Sequence, residues 1–359
     1  MSTISSLTAY GADSLSEKYQ KYVDSGRIPG FVSMIQDENG NIQTDCVGWQ
    51  DLEKSRKMAP DTIAWIASTS KFITCAGIMM LVDEGKIELD APLEKYLPEF
   101  KDIKVLIKNE DGTETLRVPE TKPTVRQSLS HTAGFRFFVS MPIDAKTLQE
   151  LVAEVATLPL LYEPGTSWQY SNLGIDMGAA VLERVSGQKY EDFLQERLFN
   201  PLGMKDTTFW LTEEQMTRVA KCYDVRDGKT VEIPIDQLTT PYTKKEGRYA
   251  EAGGGLFSTA QDVFRFTQMI ANGGVFEGKQ IMSRSAVEYL SKKQTGDKVP
   301  NWYGFGTAIG GDWFGHGGAC GTDAQANLKT GACGVFFVQL GNHPDRDKTK
   351  KIWDEYLRK

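Results

Sequence analysis

The sequence predicts an α/β (α+β) protein in which a central antiparallel sheet, flanked by helices, is built from both ends of the chain. Strand-like runs at 30–36 and 42–49 lie near the start, and further strand-like runs fill 304–340 near the end. We expect these runs to form one antiparallel sheet. A terminal helix at 347–357 can cover one face of this sheet, and an apolar helix that begins near Ser68 can cover the other.

The middle of the chain reads as helices and loops inserted between the two halves of the sheet. We therefore predict a sheet-containing subdomain formed by residues 1–90 and 253–359, and a mostly helical subdomain at 91–252. A denser run of charged residues at 101–122 contains turn-forming residues at 109–112, which predicts a projecting β-hairpin. No internal repeat or flexible linker is visible, so the two subdomains are expected to work as one unit.

The charge balance and the cysteines restrict the class of protein. The 359 residues include 41 Lys and Arg and 48 Asp and Glu, a net charge of −7, which disfavours nucleic acid or an anionic membrane as a partner. No apolar stretch reaches the length of about 18 residues that a membrane-spanning helix needs. Five scattered cysteines are typical of free thiols in a reducing compartment, and residues 1–7 lack the features of an export signal. We expect a cytoplasmic protein of undetermined oligomeric state.

Ser68 and Lys71 lie three residues apart, directly after the apolar segment 63–67 and directly before the apolar run 72–82. If Ser68 lies in the first turn of a helix, Lys71 lies on the same face and its amine can take the proton of the Ser68 hydroxyl. The N–H groups at a helix start also suit an oxygen that develops negative charge. In the alternative interpretation, Ser68 only caps the helix and Lys71 is solvated.

A second Ser-x-x-Lys match, Ser186 to Lys189, shows that the tetrapeptide alone is not specific. Ser186 and Gly187 end the amphipathic segment 173–185, where glycine is the expected helix stop. We therefore interpret Ser186 as a surface cap and Ser68 as the candidate nucleophile.

The turn-rich loop at 163–171 delivers Tyr170 and then Asn172 to the start of another helix. A phenol, with an unperturbed pKa of about 10, can act as a base only if a neighbouring ammonium such as Lys71 stabilises the phenolate. The alternatives are a structural ring at Tyr170 and a helix cap at Asn172.

A glycine-rich segment at 313–321 separates two strand-like runs. Its glycines would let a ligand approach the backbone closely, and an edge strand here could offer the Ala319 N–H as an oxyanion donor beside the Ser68 N–H. Trp313 and Phe314 immediately precede this position and are the best candidates among several aromatic residues for lining a substrate pocket. The alternative is a glycine-rich connection with a capping histidine.

These three segments, in this order, resemble the penicillin-recognising serine hydrolases, which include class C β-lactamases, family VIII carboxylesterases, D-aminopeptidases and low-molecular-weight DD-peptidases. Segments at 129–134, 198–204 and 253–259 also resemble the class C and esterase branch, so the resemblance covers most of the chain. It implies a β-lactamase-like α/β sandwich with a helical subdomain, an active site in the groove between them, and no cofactor or metal.

The resemblance also assigns roles to individual residues. It makes Ser68 the acylated nucleophile, and Lys71 either its proton acceptor or the group that lowers the pKa of the phenol. Tyr170 would be the base and proton shuttle, and Asn172 would orient the substrate carbonyl side. The expected substrate and oxyanion region comprises, besides Asn172, the residues Trp313, Phe314, His316, Gly317, Gly318 and Ala319.

The third segment departs from the β-lactamase pattern, because His316 stands where that branch has the lysine of Lys-Thr-Gly. A histidine with a pKa near 6.5 is mostly neutral at pH 7, so an anionic β-lactam would lose the ammonium that helps to hold its carboxylate. The literal Lys-Thr-Gly at 329–331 falls where a tight hairpin turn is expected. If Lys329 faced Ser68 instead, this argument would fail.

Rival chemistries have less support in the sequence. No Gly-x-Ser-x-Gly occurs, which disfavours an α/β-hydrolase triad. The three histidines, His131, His316 and His343, are not joined by Cys or carboxylates at metal-ligand spacing. We expect a structural hydrogen bond for His131 and a solvated loop position for His343.

The sequence therefore predicts a serine hydrolase that works through an acyl-enzyme on a small-molecule ester or amide. The favoured activity is that of a family VIII-type carboxylesterase on small or medium acyl esters, with weak β-lactamase activity, and with water as the acyl acceptor. An amidase, a D-aminopeptidase or a β-lactamase using the same site is the first alternative. An acyltransferase and a non-catalytic ligand-binding member of the family are the others.

Overall fold

The computed structural model describes residues 14–54, 56–138, 145–235 and 248–359; residues 1–7, where the sequence predicts no export signal, lie outside these ranges. Within them no helix is long and apolar enough to cross a membrane. The α-helices of these ranges are α1 (Leu15–Asp24), α2 (Ser70–Asp83), α3 (Val125–Leu129), α4 (Leu148–Ala156), α5 (Asn172–Ser186), α6 (Tyr190–Leu194), α7 (Asn200–Leu202), α8 (Glu213–Met216), α9 (Ala260–Ala271), α10 (Arg284–Ser291) and α11 (Arg346–Leu357). The strands are β1 (Gly30–Gln36), β2 (Ile42–Gly48), β3 (Ile63–Trp65), β4 (Val105–Lys108), β5 (Glu114–Arg117), β6 (Tyr223–Arg226), β7 (Lys229–Glu232), β8 (Phe257–Thr259), β9 (Val275–Phe276), β10 (Lys279–Gln280), β11 (Ala308–Gly310), β12 (Trp313–Gly317), β13 (Asp323–Asn327) and β14 (Cys333–Phe337).

The two ends of the chain share one six-stranded sheet with the order β11-β12-β13-β14-β1-β2. Every neighbouring pair is antiparallel. The first part of the chain joins the last part where Val32 of β1 lies opposite Phe337 of β14. The predicted fold class, a central antiparallel sheet built from both ends of the chain, is therefore confirmed.

Helices cover both faces of this sheet, and the alternation of side chains along β1 shows how. Phe31 packs with Tyr19 of α1 and Trp353 of α11, whereas Val32 belongs to the core shared with Phe72 of α2 and Phe266 of α9. Successive residues of a strand point to opposite faces, so one strand contributes to both cores. The terminal helix and the helix after Ser68 agree with the prediction, whereas α1 was not predicted.

Helix α2 is apolar on nearly every side because it runs between the sheet and the helical part of the chain. In the sequence, such a helix is a continuous apolar run and lacks the polar face of an amphipathic helix. Gly77 allows α2 and α6 to lie close together, since a Cβ at this position would lie 2.6 Å from the Leu194 side chain of α6. A turn of 3-10 helix, Ala67–Thr69, leads directly into α2 and carries Ser68.

Two local predictions are also confirmed. The charged segment forms the β4–β5 hairpin, in which Val105 lies opposite Arg117. Helix α5 ends at Gly187, whose φ of +72° is the left-handed conformation that glycine adopts without strain.

One prediction about the sheet is wrong, because β12 is not an edge strand. The short strand β11 lies outside it and takes the edge position. β11 nevertheless reaches only as far as Gly315, which pairs with Ala308, so His316 and Gly317 extend beyond its end and pair with β13 alone. This end of β12 points toward Ser68, because the His316 carbonyl accepts a hydrogen bond from Thr69.

Candidate active site

Ser68 lies on a short turn that is fixed from both sides. The N–H of Ile66 donates to the Leu256 carbonyl at 3.0 Å, and the Ile66 carbonyl accepts from Thr322 Oγ1 at 3.0 Å. The next residue, Ala67, has a φ of +46°. This backbone conformation is uncommon for a residue with a side chain and persists only where the surrounding structure requires it. The backbone thus presents the Ser68 side chain at the mouth of the groove beside β12.

Lys71 is fully buried and its amine meets three oxygen atoms. Nζ lies 3.0 Å from Ser68 Oγ and 2.6 Å from Asn172 Oδ1, and it donates to the carbonyl oxygen of Gly253. An ammonium can donate to all three oxygens. A neutral amine can keep Asn172 and Gly253 as acceptors and turn its lone pair toward the Ser68 hydroxyl.

Burial lowers the pKa of Lys71 to about 7, because an ammonium inside the protein loses its hydration. The negative charge of the Asp176 carboxylate acts in the opposite direction and offsets only part of this effect. Near neutral pH, Lys71 is therefore present both as an ammonium and as an amine that can accept a proton.

Tyr170 lies between Lys71 and β12. Lys71 Nζ lies 4.6 Å from the centre of the Tyr170 ring, and the Tyr170 hydroxyl lies 3.2 Å from His316 Nε2. Of the two roles that the resemblance implies for Lys71, one is to lower the pKa of this phenol. The structure contradicts that expectation: burial raises the pKa of Tyr170 above its usual value, and a hydrogen bond from Ser68 offsets only part of the rise. The hydroxyl stays protonated at neutral pH.

The neighbours of His316 define its tautomer. Nδ1 lies 2.6 Å from the Gly317 carbonyl, which can only accept, so Nδ1 carries the hydrogen and Nε2 accepts from the Tyr170 hydroxyl. Burial, together with the charge of Lys71, lowers the pKa of His316 to about 3. His316 is therefore a neutral hydrogen-bond acceptor, in agreement with the expectation that this position carries no positive charge at pH 7.

His131 holds the loop that carries Tyr170. Its Nδ1 accepts from the Ser171 N–H at 3.2 Å, and its carbonyl accepts from the Gln169 N–H at 3.0 Å. Its ring lies 4.6 Å from the Tyr170 ring. The structural role predicted for His131 is confirmed. The cap of α5 is Ser171 rather than Asn172, which leaves the Asn172 amide free of capping and directed at Lys71.

A cavity of about 690 Å³ opens at this site. Its described lining includes Phe137 and Leu340, and Phe137 stacks on the Tyr170 ring at 5.8 Å. The predicted site residues on its wall are Ser68, Tyr170, Gly317, Gly318 and Ala319. Two further predicted site residues are not on the wall but contact the catalytic candidates: Asn172 contacts Lys71, and His316 contacts Tyr170.

The prediction that Trp313 and Phe314 line the substrate pocket is wrong. Phe314 is 1% exposed and packs edge-to-face on Phe72 in the core, with 5.9 Å between ring centres. Trp313 points to the opposite face of β12, where it lines a separate cavity with Tyr356 of α11. Two adjacent residues of a strand face opposite sides of the sheet, and here neither side is the groove at Ser68.

Lys329 does not take part in the site. The segment 329–331 forms the turn between β13 and β14, as predicted. The Lys329 ammonium is largely exposed and lies 2.6 Å from Asp312 Oδ1, on the turn between β11 and β12.

The sequence analysis gave no role to two residues behind Lys71. Gly253 supplies a carbonyl to Lys71, and Asp176 accepts a hydrogen bond from the Gly253 N–H. The run of three glycines at 253–255 was a signal of close packing, but nothing in it points to Lys71. Among the described residues, no group of His, Cys, Asp and Glu is placed to hold a metal ion.

Comparison with known proteins places this geometry in context. The model of the family described as Beta-lactamase matches residues 15–357. Esterase EstB of Burkholderia gladioli is 30% identical over 279 residues, which cover 69% of this chain and 67% of EstB. Lovastatin esterase of Penicillium rubens is 28% identical over 297 residues, which cover 78% of this chain and 73% of that esterase.

A solved structure shows the same fold. The LovD6 mutant of simvastatin synthase (LovD) from Aspergillus terreus superposes with a TM-score of 0.79, covering 96% of this chain and 97% of that chain at 23% identity. At this identity the likeness concerns the fold alone. It agrees with the antiparallel sheet and flanking helices described above.

Proposed function

The chain belongs to the beta-lactamase family, and from that premise we propose that it is a serine hydrolase which cleaves carboxylic esters through an acyl-enzyme on Ser68. The observation that carries the proposal is the contact of Ser68 Oγ with Lys71 Nζ at 3.0 Å, on a lysine whose pKa burial lowers to about 7. A nucleophile beside a base that is neutral at working pH is the arrangement that covalent catalysis needs.

In the acylation step, the neutral Lys71 amine takes the Ser68 proton as Oγ attacks the ester carbonyl carbon. The Lys71 ammonium that results keeps Asn172 Oδ1 and the Gly253 carbonyl as acceptors, so the new charge is solvated by groups already in place. The N–H groups of Ser68 and Ala319 are proposed to receive the oxyanion. When the tetrahedral intermediate collapses, the alkoxide leaving group takes a proton from the Lys71 ammonium, directly or through the Tyr170 hydroxyl.

Tyr170 is proposed to act as a proton relay and not as a phenolate base. Its hydroxyl donates to His316 Nε2 and its oxygen is near Ser68, so it can accept one proton while it passes on another. Water then attacks the acyl carbonyl carbon while the Lys71 amine takes one of its protons. The bond between the acyl carbon and Ser68 Oγ breaks, Oγ takes that proton back from the Lys71 ammonium, and the carboxylic acid leaves.

The substrate class follows from the charges at the groove. His316 is neutral and Lys329 is paired with Asp312 on an exposed turn, so neither offers an ammonium beside Ser68 for a β-lactam carboxylate. The cavity wall combines charged side chains, such as Arg226 and Arg346, with the apolar side chains of Phe137, Val338 and Leu340, and the apolar part suits an uncharged acyl or alcohol group. We therefore propose carboxylesterase activity of the family VIII type, with β-lactam hydrolysis as a slow side reaction.

The test measures turnover of p-nitrophenyl acetate, p-nitrophenyl butyrate, nitrocefin and D-alanine p-nitroanilide by the purified protein. We expect fast ester cleavage, slow nitrocefin cleavage, and loss of both in Ser68→Ala. Ser186→Ala is the matched control, because it removes the other serine of a Ser-x-x-Lys sequence, which lies at the end of α5.

Each result has a defined meaning. Retained activity in Ser68→Ala, or a loss in Ser186→Ala, would overturn the nucleophile. Fast nitrocefin or anilide cleavage would move the activity to the β-lactamase or amidase alternative. A parallel assay with a small alcohol as competing acceptor measures acyl transfer, and a transfer product that dominates over the free acid would replace the esterase by an acyltransferase.

A further inference from the structure

A buried carboxylate lies behind the proposed catalytic pair. Asp176 is 2% exposed and sits on α5, one helical turn after Asn172. Residues four apart lie on the same face of a helix, so Asp176 and Asn172 both face the segment that carries Gly253. An acidic residue is rarely buried to this extent unless it has a partner.

The partner is the backbone of the same glycine that contacts Lys71. Asp176 Oδ1 accepts from the Gly253 N–H at 3.1 Å, while the Gly253 carbonyl accepts from Lys71 Nζ. The preceding carbonyl, that of Ala252, accepts from Thr74 Oγ1 at 2.9 Å. The segment is therefore held by α2 and by α5 at successive residues.

We propose that Asp176 is a positioning residue for Lys71: it orients the Gly253 peptide so that its carbonyl meets Lys71 Nζ, and it supplies the buried negative charge that faces the Lys71 ammonium. The proposal deepens the proposed function and rests on it for its catalytic meaning. Asp176 itself touches neither Ser68 nor the cavity among the contacts that the structure describes.

Several titratable groups surround Asp176 and act on its charge. Lys71 faces it from α2, Glu251 and Tyr249 from the segment before Gly253, and Tyr190 from α6. Burial, and secondarily the charge of Glu251, raises the pKa of Asp176 to about 7, while Lys71 and the backbone N–H groups act in the opposite direction. Lys71 and Asp176 act on each other's charge and both titrate near pH 7, so the pKa of each depends on the ionisation of the other.

The charge of Asp176 determines the direction in which the pKa of Lys71 changes. An ionised Asp176 favours the Lys71 ammonium, so it raises the pH at which Lys71 becomes a base. Asp176→Asn removes the charge and keeps an oxygen that can accept from the Gly253 N–H. Lys71 in this variant should release its proton at lower pH.

The experiment follows the Lys71 titration directly, by the pH dependence of its ¹³Cε NMR shift in protein labelled with ¹³C-lysine. The signal is assigned by its absence in Lys71→Arg. We expect the midpoint to fall by about one pH unit or more in Asp176→Asn, a typical effect of removing one nearby opposite charge. Asp176→Ser, a second uncharged variant, should shift it in the same direction.

Asp262→Asn is the matched control. Asp262 is also buried and accepts from a backbone N–H, that of Asp206, at 2.7 Å, but it lies at the start of α9 and has no contact with Lys71. This variant should leave the Lys71 midpoint unchanged. Circular dichroism verifies the fold of each variant, and loss of the fold in both Asp176 variants would make Asp176 a core residue and overturn the proposal.

The ester assay separates the inference from the proposed function. The acidic limb of kcat/KM against pH should move with the NMR midpoint in Asp176→Asn. If the wild type cleaves esters but the midpoint is the same in Asp176→Asn, the positioning role is wrong and the hydrolase stands. If the midpoint shifts but the wild type cleaves no ester, the hydrolase proposal fails and the coupling of Asp176 to Lys71 stands.

Discussion

Gly253→Ala should damage the site through one added methyl group. A Cβ at position 253 would lie 2.8 Å from Asn172 Cβ and 2.9 Å from Asn172 Cα. Ordinary contacts between carbon atoms are about 3.5–4.0 Å, so the two segments would have to separate by roughly 0.6–1.2 Å. Neither contact is the end of a flexible side chain, so the backbone itself has to move.

The movement acts on Lys71 from two directions. The Gly253 carbonyl and Asn172 Oδ1 are both acceptors of Lys71 Nζ, and the methyl group pushes them apart. Overpacking of this size typically costs about 1–3 kcal/mol of stability. A displacement of about 1 Å at a catalytic group can lower a rate on the order of 10²-fold, and we expect a loss of kcat/KM of that order.

The neighbouring glycine provides the control. A Cβ at Gly254 would meet Ala67 at 3.8–3.9 Å, which is ordinary van der Waals contact, and neither glycine has a positive φ. The ester activity of Gly254→Ala should therefore stay within about twofold of the wild type, because the added methyl group displaces no neighbouring atom. Kinetics on p-nitrophenyl butyrate and urea unfolding of both variants test the argument. Equal activity of Gly253→Ala and Gly254→Ala would refute the Gly253 contact as a support of Lys71.

Three further predictions concern charge and hydrogen bonding. The kcat/KM for p-nitrophenyl butyrate should rise as the pH passes through about 7, because the Lys71 amine must be neutral to accept the Ser68 proton; a profile flat from pH 5 to 9 would contradict this role. His316→Leu leaves the buried Tyr170 hydroxyl without its acceptor and should cost about 1–3 kcal/mol in urea unfolding, whereas His316→Gln retains an acceptor and should cost less. Lys329→Ala should leave both the ester and the nitrocefin rates unchanged within experimental error, and a selective fall in nitrocefin cleavage would show that Lys329 reaches the substrate.

The strand-like runs of the sheet and the helices α2 and α11 could be predicted from the sequence because each has a one-dimensional signal. The turn at 329–331 and the stop at Gly187 follow from local backbone chemistry, and both are where the sequence placed them. The position of β12 inside the sheet, with β11 at the edge, could not be predicted, because the order of strands depends on which segment pairs beside each strand. Helix α1 was missed although the sequence contains a signal for it, because Leu15, Tyr19 and Tyr22 recur at helical spacing after the N-cap Ser14.

In the candidate site, too, local features could be predicted from the sequence and contacts between distant segments could not. The spacing of Ser68 and Lys71 is a local property of one helix start, and it predicts their contact correctly. The opposite placements of Trp313 and Phe314 depend on which face of β12 meets the groove, and the sequence contains no signal for that. Asp176 and Gly253 act through contacts between segments far apart in the chain, which no spacing rule can find.

Burial is the common cause of the electrostatic character of the site. It favours the neutral forms of Lys71, His316, Tyr170 and Asp176, lowering the pKa of the two bases and raising the pKa of the two acids. The groups that surround Ser68 are thus partly or wholly neutral near pH 7, while charged side chains such as Arg226 and Arg346 also line the cavity. The oxyanion that forms during attack would then be a new charge beside buried and nearly uncharged groups, where oriented N–H groups and the new Lys71 ammonium act most strongly. Burial of Lys71 would thus serve both the proton transfer and the stabilisation of the charge that this transfer creates.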